Sequence, residues 1–274
     1  MKKWIFLTIV ACCLGVFTIQ GQDALSTGGA RYRGLNSAGL TLGDHWSSMQ
    51  NQAGMVDVNG IAAGVFSFNR FGLSELTTIG ASAVYGTGKM AYGLSIESYG
   101  FSGWRRTLVG GAIAMKLSEQ FDVGVQLGYH QIQLGGIYGS SSTITAALGF
   151  RYQLREDVAL AGHLFNPTRS QLADFNDERI PTLLRTGLEW KLSSQVSTIL
   201  EVRKAINDPL GVNFAIEYEP LEHLFIRGGA GTKPDMFAFG LGYRINAMRV
   251  DVASAYHQTL GFLPQLSISY EPQK

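Results

Sequence analysis

The chain has 274 residues, of which 46% are hydrophobic and 16% charged, and its formal net charge is +1. A balance this close to neutrality supplies no field for nucleic acid or other strongly charged partners. Cys12 and Cys13 are the two cysteines and both fall in the N-terminal leader, so disulfide and thiolate chemistry is excluded from the rest of the chain.

The first segment reads as a secretory signal over residues 1–21. Met1-Lys2-Lys3 is basic, Trp4 to Ile19 is apolar, and Gly21 is a small residue suited to cleavage. Ile9-Val10-Ala11-Cys12 also has the look of a lipidation box, but the apolar run continues past Cys12 to Ile19, which favours a cleaved signal. Residues 22–56 show no alternation. Asp44 suits the N-cap of a short helix ending near Gly54. The segment is too short for a domain and is expected to be a plug or latch against a barrel.

Residues 57–274 are expected to be that barrel. Val212, Phe214, Ile216 and Tyr218 share one parity, and Asn213, Ala215, Glu217 and Glu219 the other; Phe237 to Arg244 repeats the pattern. A strand sends successive side chains to opposite faces, so each segment has one apolar and one polar face. About fourteen strands are predicted, near 60–71, 76–86, 90–99, 105–117, 121–133, 142–154, 158–166, 182–192, 196–206, 211–219, 224–230, 236–246, 249–258 and 263–270. Tight connections alternate with longer ones such as Gly100 to Trp104, Pro167 to Pro181 and Gly231 to Asp235. The fold class is therefore all-β: a transmembrane antiparallel up-and-down β-barrel of about 14 strands with a short N-terminal plug. Short periplasmic turns and longer outer loops place both termini in the periplasm and the protein in the outer membrane. The 34 glycines lie within strands and at turns, without the period of collagen.

Register adds charge pairs. Across the tight turns, Lys116 is expected opposite Asp122, Glu217 opposite Arg227, and Arg244 opposite Asp251, all on the inward parity. Inward placement avoids the roughly 2–4 kcal/mol that a charge facing lipid costs at midplane. Glu97, His130, Arg151, His163, Glu201 and Arg203 join them as candidate lumen residues. Tyr152, Trp190, Tyr218 and Tyr243 have outward parity just before tight turns, as an interfacial aromatic girdle would.

Chemistry is sparse. The five histidines have no metal-ligand spacing, and His163, Asn166 and Ser170 lack a nucleophile motif around the serine. No enzyme activity and no cofactor are expected. Mixed signs and matched pairs read as a filled, salt-bridged interior more than as a solute path.

Gly29-Ala30-Arg31, Ser37-Ala38-Gly39, Asp44-His45-Trp46-Ser47 and Asn51-Gln52-Ala53-Gly54 resemble the opening of the PorV/PorQ outer-membrane barrels, relatives of the FadL long-chain fatty acid transporters. Arg249 to Ala253 and Tyr256-His257 resemble that family's closing stretch, while Gln52 stands where its motif has proline. The resemblance implies fourteen strands, a plug bearing Asp44, Trp46, Asn51, Ala53 and Gly54, and a Bacteroidetes-type outer membrane. It further implies a type IX secretion or assembly accessory that binds protein partners through the loops, around Phe101, Trp104, Tyr138, Phe175 and Phe262. The alternative is FadL-like uptake of a hydrophobic small molecule. Beyond membrane lipid, the expected partners are thus a secretion complex or a hydrophobic ligand.

Overall fold

The computed structural model describes residues 28–70, 72–135, 139–173, 178–206, 208–233, 235–257 and 261–272. The expected signal over 1–21, Cys12, Tyr138 and Phe175 lie outside the described residues.

Fourteen strands close into one antiparallel barrel. They are β1 (Asn59–Asn69), β2 (Thr77–Thr87), β3 (Met90–Phe101), β4 (Trp104–Lys116), β5 (Phe121–Leu134), β6 (Ser140–Arg155) and β7 (Val158–Phe165), followed after a long connection by β10 (Leu183–Lys191), β11 (Val196–Ala205), β12 (Gly211–Leu221), β13 (Leu224–Thr232), β14 (Asp235–Ile245), β15 (Met248–His257) and β16 (Gly261–Tyr270). Every strand pairs with its chain neighbour, and β1 pairs with β16 to complete the ring. Closure leaves no unpaired edge, which is what a sheet needs inside a bilayer.

The alternation behaves as a two-faced surface. On β14, Phe237, Phe239, Leu241 and Tyr243 are exposed, while Ala238, Gly240 and Gly242 are buried. The same exposed apolar side chains recur around the whole wall, including Ile61, Leu94, Leu127, Ile144 and Phe214. An apolar belt this continuous is covered by lipid, and the chain is an outer-membrane type of barrel. Tyr85, Tyr92, Trp190, Tyr218, Tyr243 and Tyr270 stand exposed on this face near the tight turns; Tyr152 is half-buried there, against Phe121.

The two ends of the barrel differ less than the sequence suggests. Gly100 to Trp104, expected as a longer loop, is a two-residue turn at Ser102-Gly103, because Gly100 at φ +112° lets β3 run on until Phe101 faces Trp104. Between β13 and β14 only residues 233 and 234 remain, with Thr232 opposite Asp235. Two-residue turns match the twist of paired strands and are favoured where they fit. The long connection is 166–182, which carries a small ribbon, β8 (Gln171–Ala173) against β9 (Glu178–Arg179), that the alternation did not reveal. Below, the end with this connection is the loop end, and the opposite end, where β1 begins and β16 finishes, is the turn end.

The interior is occupied by the N-terminal segment. Gly29 precedes α1 (Ala30–Gly34), and two 3-10 turns follow over His45–Met49 and Gln52–Asp57. The single short helix expected from Asp44 is thus two tighter turns, and α1 forms where no helix is expected. Asp44 does cap: its side chain accepts from the Ser47 backbone while the Ser47 hydroxyl accepts from the Asp44 backbone. Asn51 caps the second turn by accepting from the Ala53 amide.

Candidate functional site

The lumen is the place where this chain concentrates buried polar groups, and it is built from both plug and wall. Trp46, Tyr32, Leu35, Leu40, Met55, His45, Gln52 and Asn51 are among its most deeply buried side chains. Eight strands meet them with glycine or alanine at inward positions. A Cβ on Gly149 would lie 2.0 Å from Asn51 Oδ1, one on Gly124 2.5 Å from the Ala53 nitrogen, and one on Gly93 2.5 Å from Met55 Sδ. Gly64 faces His45 and Trp46, Gly187 faces Leu40, Gly229 faces Leu35 and Asn36, and Gly240 lies against Gly34. Ala215 completes the set in the same apolar cluster as Tyr32 and Trp46. Glycine inside a strand marks the close approach of another backbone. Much of the glycine excess therefore has one cause, a ring that makes room for the plug.

Three arginine-centred clusters tie plug to wall. At the turn end, Arg151 donates twice to Asp57, at 2.6 Å each, and twice to Asp122, at 3.1 and 2.9 Å. Asp122 lies opposite Lys116 in the sheet, but its carboxylate is taken by Arg151 from β6, which is also directly opposite it. Lys116 forms no ion pair among the described residues. The forked guanidinium reaches two carboxylates at once, which a lysine point charge does not.

The second cluster contains Glu217, Arg227 and Asp251. Glu217 lies opposite Arg227 and the two are ion-paired. Arg31 of the plug donates to Glu217 at 2.6 Å and to Asp44 at 3.0 Å. Asp251 does not face Arg244. It lies opposite Gly242, and Arg244 lies opposite Arg249. The cause is Asn246, which takes a left-handed φ of +52° and starts a two-residue turn at Asn246-Ala247, shifting the hairpin by two in pairing sum. Asp251 instead holds Arg227, at 2.7 Å, and Arg249, at 3.0 Å, while Arg244 pairs with Glu271 at 2.8 Å. In the third cluster Arg185 bonds Glu201 and also Gln50 of the plug.

The remaining predicted lumen residues separate by position. His130 Nε2 bonds Thr145 Oγ1 at 2.9 Å. His163 is buried, and neither ring nitrogen has a partner among the described residues. Arg203 donates to the carbonyl of Lys233. Glu97 pairs with Arg106 at 3.7 Å. Among the plug residues, Trp46 packs edge-on against Phe66 at 5.6 Å, Asn51 donates to the carbonyls of Leu40 and Phe150, and a Cβ on Gly54 would meet the Leu42 carbonyl at 2.2 Å. Of the expected loop patch, Phe101 and Trp104 close the β3–β4 hairpin, and Phe262 packs on Tyr256.

Sequence reasoning missed Arg31, Arg33, Gln50 and Asp57 of the plug, and Gln265 and Ser267 of the wall. Inward parity marked the last two; nothing periodic marks the plug. Arg33 is the odd member. It is 5% exposed, donates to Gln265 Oε1 at 3.3 Å and lies 4.2 Å from the Phe68 ring centroid, with no carboxylate paired to it among the described residues. Burial pulls its pKa down to about 10, partly offset by Glu97, so it stays protonated at neutral pH.

Charge thus divides by level. At the turn end a vestibule of about 500 Å³ is lined by groups of both signs, among them Arg31, Asp57, Lys116, Glu119, Glu189 and Lys191. On the loop side of the plug, Arg33, Arg70 and Arg106 are opposed by Glu97. Between the two runs an apolar seam of Leu35, Trp46, Phe66, Phe68 and Leu263, with Met236 against it. No group of three or more metal-ligating side chains occurs among the described residues.

No family model matches the sequence, and no curated protein matches it. Solved structures do. The monoaromatic hydrocarbon channel CymD has a TM-score of 0.70 at 13% identity, over 91% of this chain and 99% of that one. The Ralstonia pickettii toluene transporter TbuX also has a TM-score of 0.70, at 12% identity with the same coverage. A Pseudomonas aeruginosa FadL homologue has a TM-score of 0.66 at 12% identity, again over 91% and 99%. At these identities the likeness is one of fold: the chain has the FadL-like, fourteen-stranded outer-membrane architecture.

Proposed function

We propose that this barrel passes small hydrophobic molecules across the outer membrane, with the N-terminal segment as its gate and the turn end in the periplasm. The observation that carries the reading is the apolar seam along the plug, from Phe68 and Leu263 inward to Leu35 and Trp46, in a wall otherwise tied by ion pairs. The seam offers a solute low-cost contact, while the arginine clusters hold the rest of the plug. Its likeness in fold to a toluene transporter and a monoaromatic hydrocarbon channel supports the same reading. The filled lumen is then the closed state, and passage requires the plug to shift.

The test is accumulation of radiolabelled toluene by cells that make the protein, against cells that make it with Gly149→Leu, which displaces the plug. Faster uptake than in cells lacking the protein, altered by the variant, is expected. Uptake identical in all three would overturn the reading.

A second reading rests on the filling itself. A lumen closed by Arg31, Arg151 and Arg185 suits an accessory of type IX secretion of the PorV/PorQ kind, which works through partners and not through a pore. Co-purification from native outer membrane with secretion components, together with silent uptake, would move the assignment there.

A further inference from the structure

On the loop side of the plug sits a buried cation, Arg33, with no carboxylate paired to it among the described residues. The other fully buried arginines, Arg185, Arg227 and Arg249, form ion pairs, as do the less buried Arg31 and Arg151. Arg33 does not. Its guanidinium sits over Phe68 with one amide acceptor, Gln265. Arg70, half-buried at the end of β1, lies 5.1 Å from the same ring and 4.6 Å from the Tyr99 ring. Tyr99 in turn packs edge-on against Trp104 at 5.4 Å and lies opposite Arg106 in the sheet. Among the described residues, Arg33, Arg70, Arg106, Glu97 and a run of aromatic rings therefore lie together on the loop side of the plug.

A buried cation without an acid is costly unless a ligand or a role repays it. Aromatic faces lower that cost, since a guanidinium over a ring is attracted by the ring quadrupole. They do not supply the in-plane acceptors that a fork-shaped donor matches, and a carboxylate does. Resting on the reading above, we propose that this face recognises small aromatic carboxylates. Arg33 pairs the carboxylate, Arg70 and Arg106 draw it in from outside, and Phe68, Tyr99 and Trp104 receive the ring. The ligand enters by displacing Arg70 from the Phe68 and Tyr99 rings. The same geometry disfavours cations of equal size, which would meet the like charge of Arg33.

Equilibrium dialysis of the purified full-length protein with radiolabelled benzoate, toluene or benzylamine tests the proposal. Benzoate is expected to bind more tightly than toluene, with benzylamine weakest. Raising salt from 50 mM to 500 mM should weaken benzoate binding several-fold and leave toluene unchanged. Arg33→Gln should weaken benzoate about tenfold, the loss of one charged hydrogen-bond pair, and should weaken toluene less than benzoate. Toluene binding with benzoate no tighter, or benzoate binding indifferent to salt and to Arg33→Gln, overturns this inference and leaves the uptake reading standing. Failure of both toluene and benzoate to bind sinks the two together. The salt arm uses the unaltered protein, so the result does not hinge on the variant folding.

Discussion

Glu201 joins wall to plug with both of its oxygens. Oε1 accepts from Arg185 Nε at 2.7 Å, and Oε2 accepts from the backbone amides of Gly39 and Leu40 at 3.2 and 3.3 Å. A single carboxylate thus neutralises a buried cation and satisfies two plug donors.

Removing it should free this stretch of the plug. Glu201→Ala leaves Arg185 buried and unpaired, a loss of about 3–5 kcal/mol, whereas Glu201→Gln keeps an acceptor and should cost less. Hydrogen exchange at Gly39 and Leu40 is the readout, with faster exchange in the order Ala, Gln, native. Equal protection in all three would show that the carboxylate does not hold the plug.

The glycine ring makes a paired prediction. Gly149→Ala puts a methyl 2.0 Å from Asn51 Oδ1 and should destabilise the plugged state by about 1–3 kcal/mol, as overpacking does. Gly111→Ala, on the lipid face with nothing within 4 Å, should be neutral. Protease sensitivity of residues 36–57 in reconstituted protein separates the two: the first variant should be cut faster and the second should match native.

The lipid belt can be probed by one charge. Leu241→Arg places a guanidinium on the outward face of β14, beside Ile226 and Val252. It should lower folding stability in lipid vesicles by about 2–4 kcal/mol if this level is the midplane. A urea midpoint equal to native would mean that this face does not meet hydrocarbon.

Plug docking should weaken in acid. Burial holds the His45 imidazole below its usual pKa; Asp44, Glu271 and Asp251 pull it up and Arg249 pushes it down. Nδ1 lies 3.6 Å from Glu271. A histidine depressed in the fold is bound neutral, so its stabilisation is complete above about pH 6.5 and declines as pH falls below that value. Protection of plug amides, corrected for the intrinsic pH dependence of exchange, should therefore fall between pH 7 and pH 5, and His45→Gln should flatten that dependence. An unchanged slope in the variant would assign the effect to another group.

The barrel was legible because its signal is local. Each strand carries its own alternation, so β12 and β14 could be read from eight residues apiece, and inward parity placed Glu217, Arg227, Glu201 and Arg151 in the lumen. Pairing across turns was less secure. Lys116 faces Asp122 yet loses its carboxylate to Arg151, since a fork from the next strand competes better. Arg244 missed Asp251 because one asparagine accepted a left-handed turn. The plug was legible as an exception to alternation, but its hydrogen bonds to the wall reach residues from 34 to 237 positions away, and no local period encodes them. The inward glycines are the trace that the plug leaves in the wall sequence.

The barrel closes where β1 meets β16, through six register pairs from Ala63↔Tyr270 to Phe68↔Gln265. Plug residues grip both sides of that line: His45 and Trp46 press on Gly64 of β1, while Ser267 of β16 accepts from the Ala30 amide and Gln265 donates to the Gly28 carbonyl. The segment inside the lumen is therefore also a clasp for the suture between the two ends of the chain. Assembly of the cylinder and seating of its stopper become one event, and a chain whose first strand finds its last without the stopper in place would be left with a slack joint.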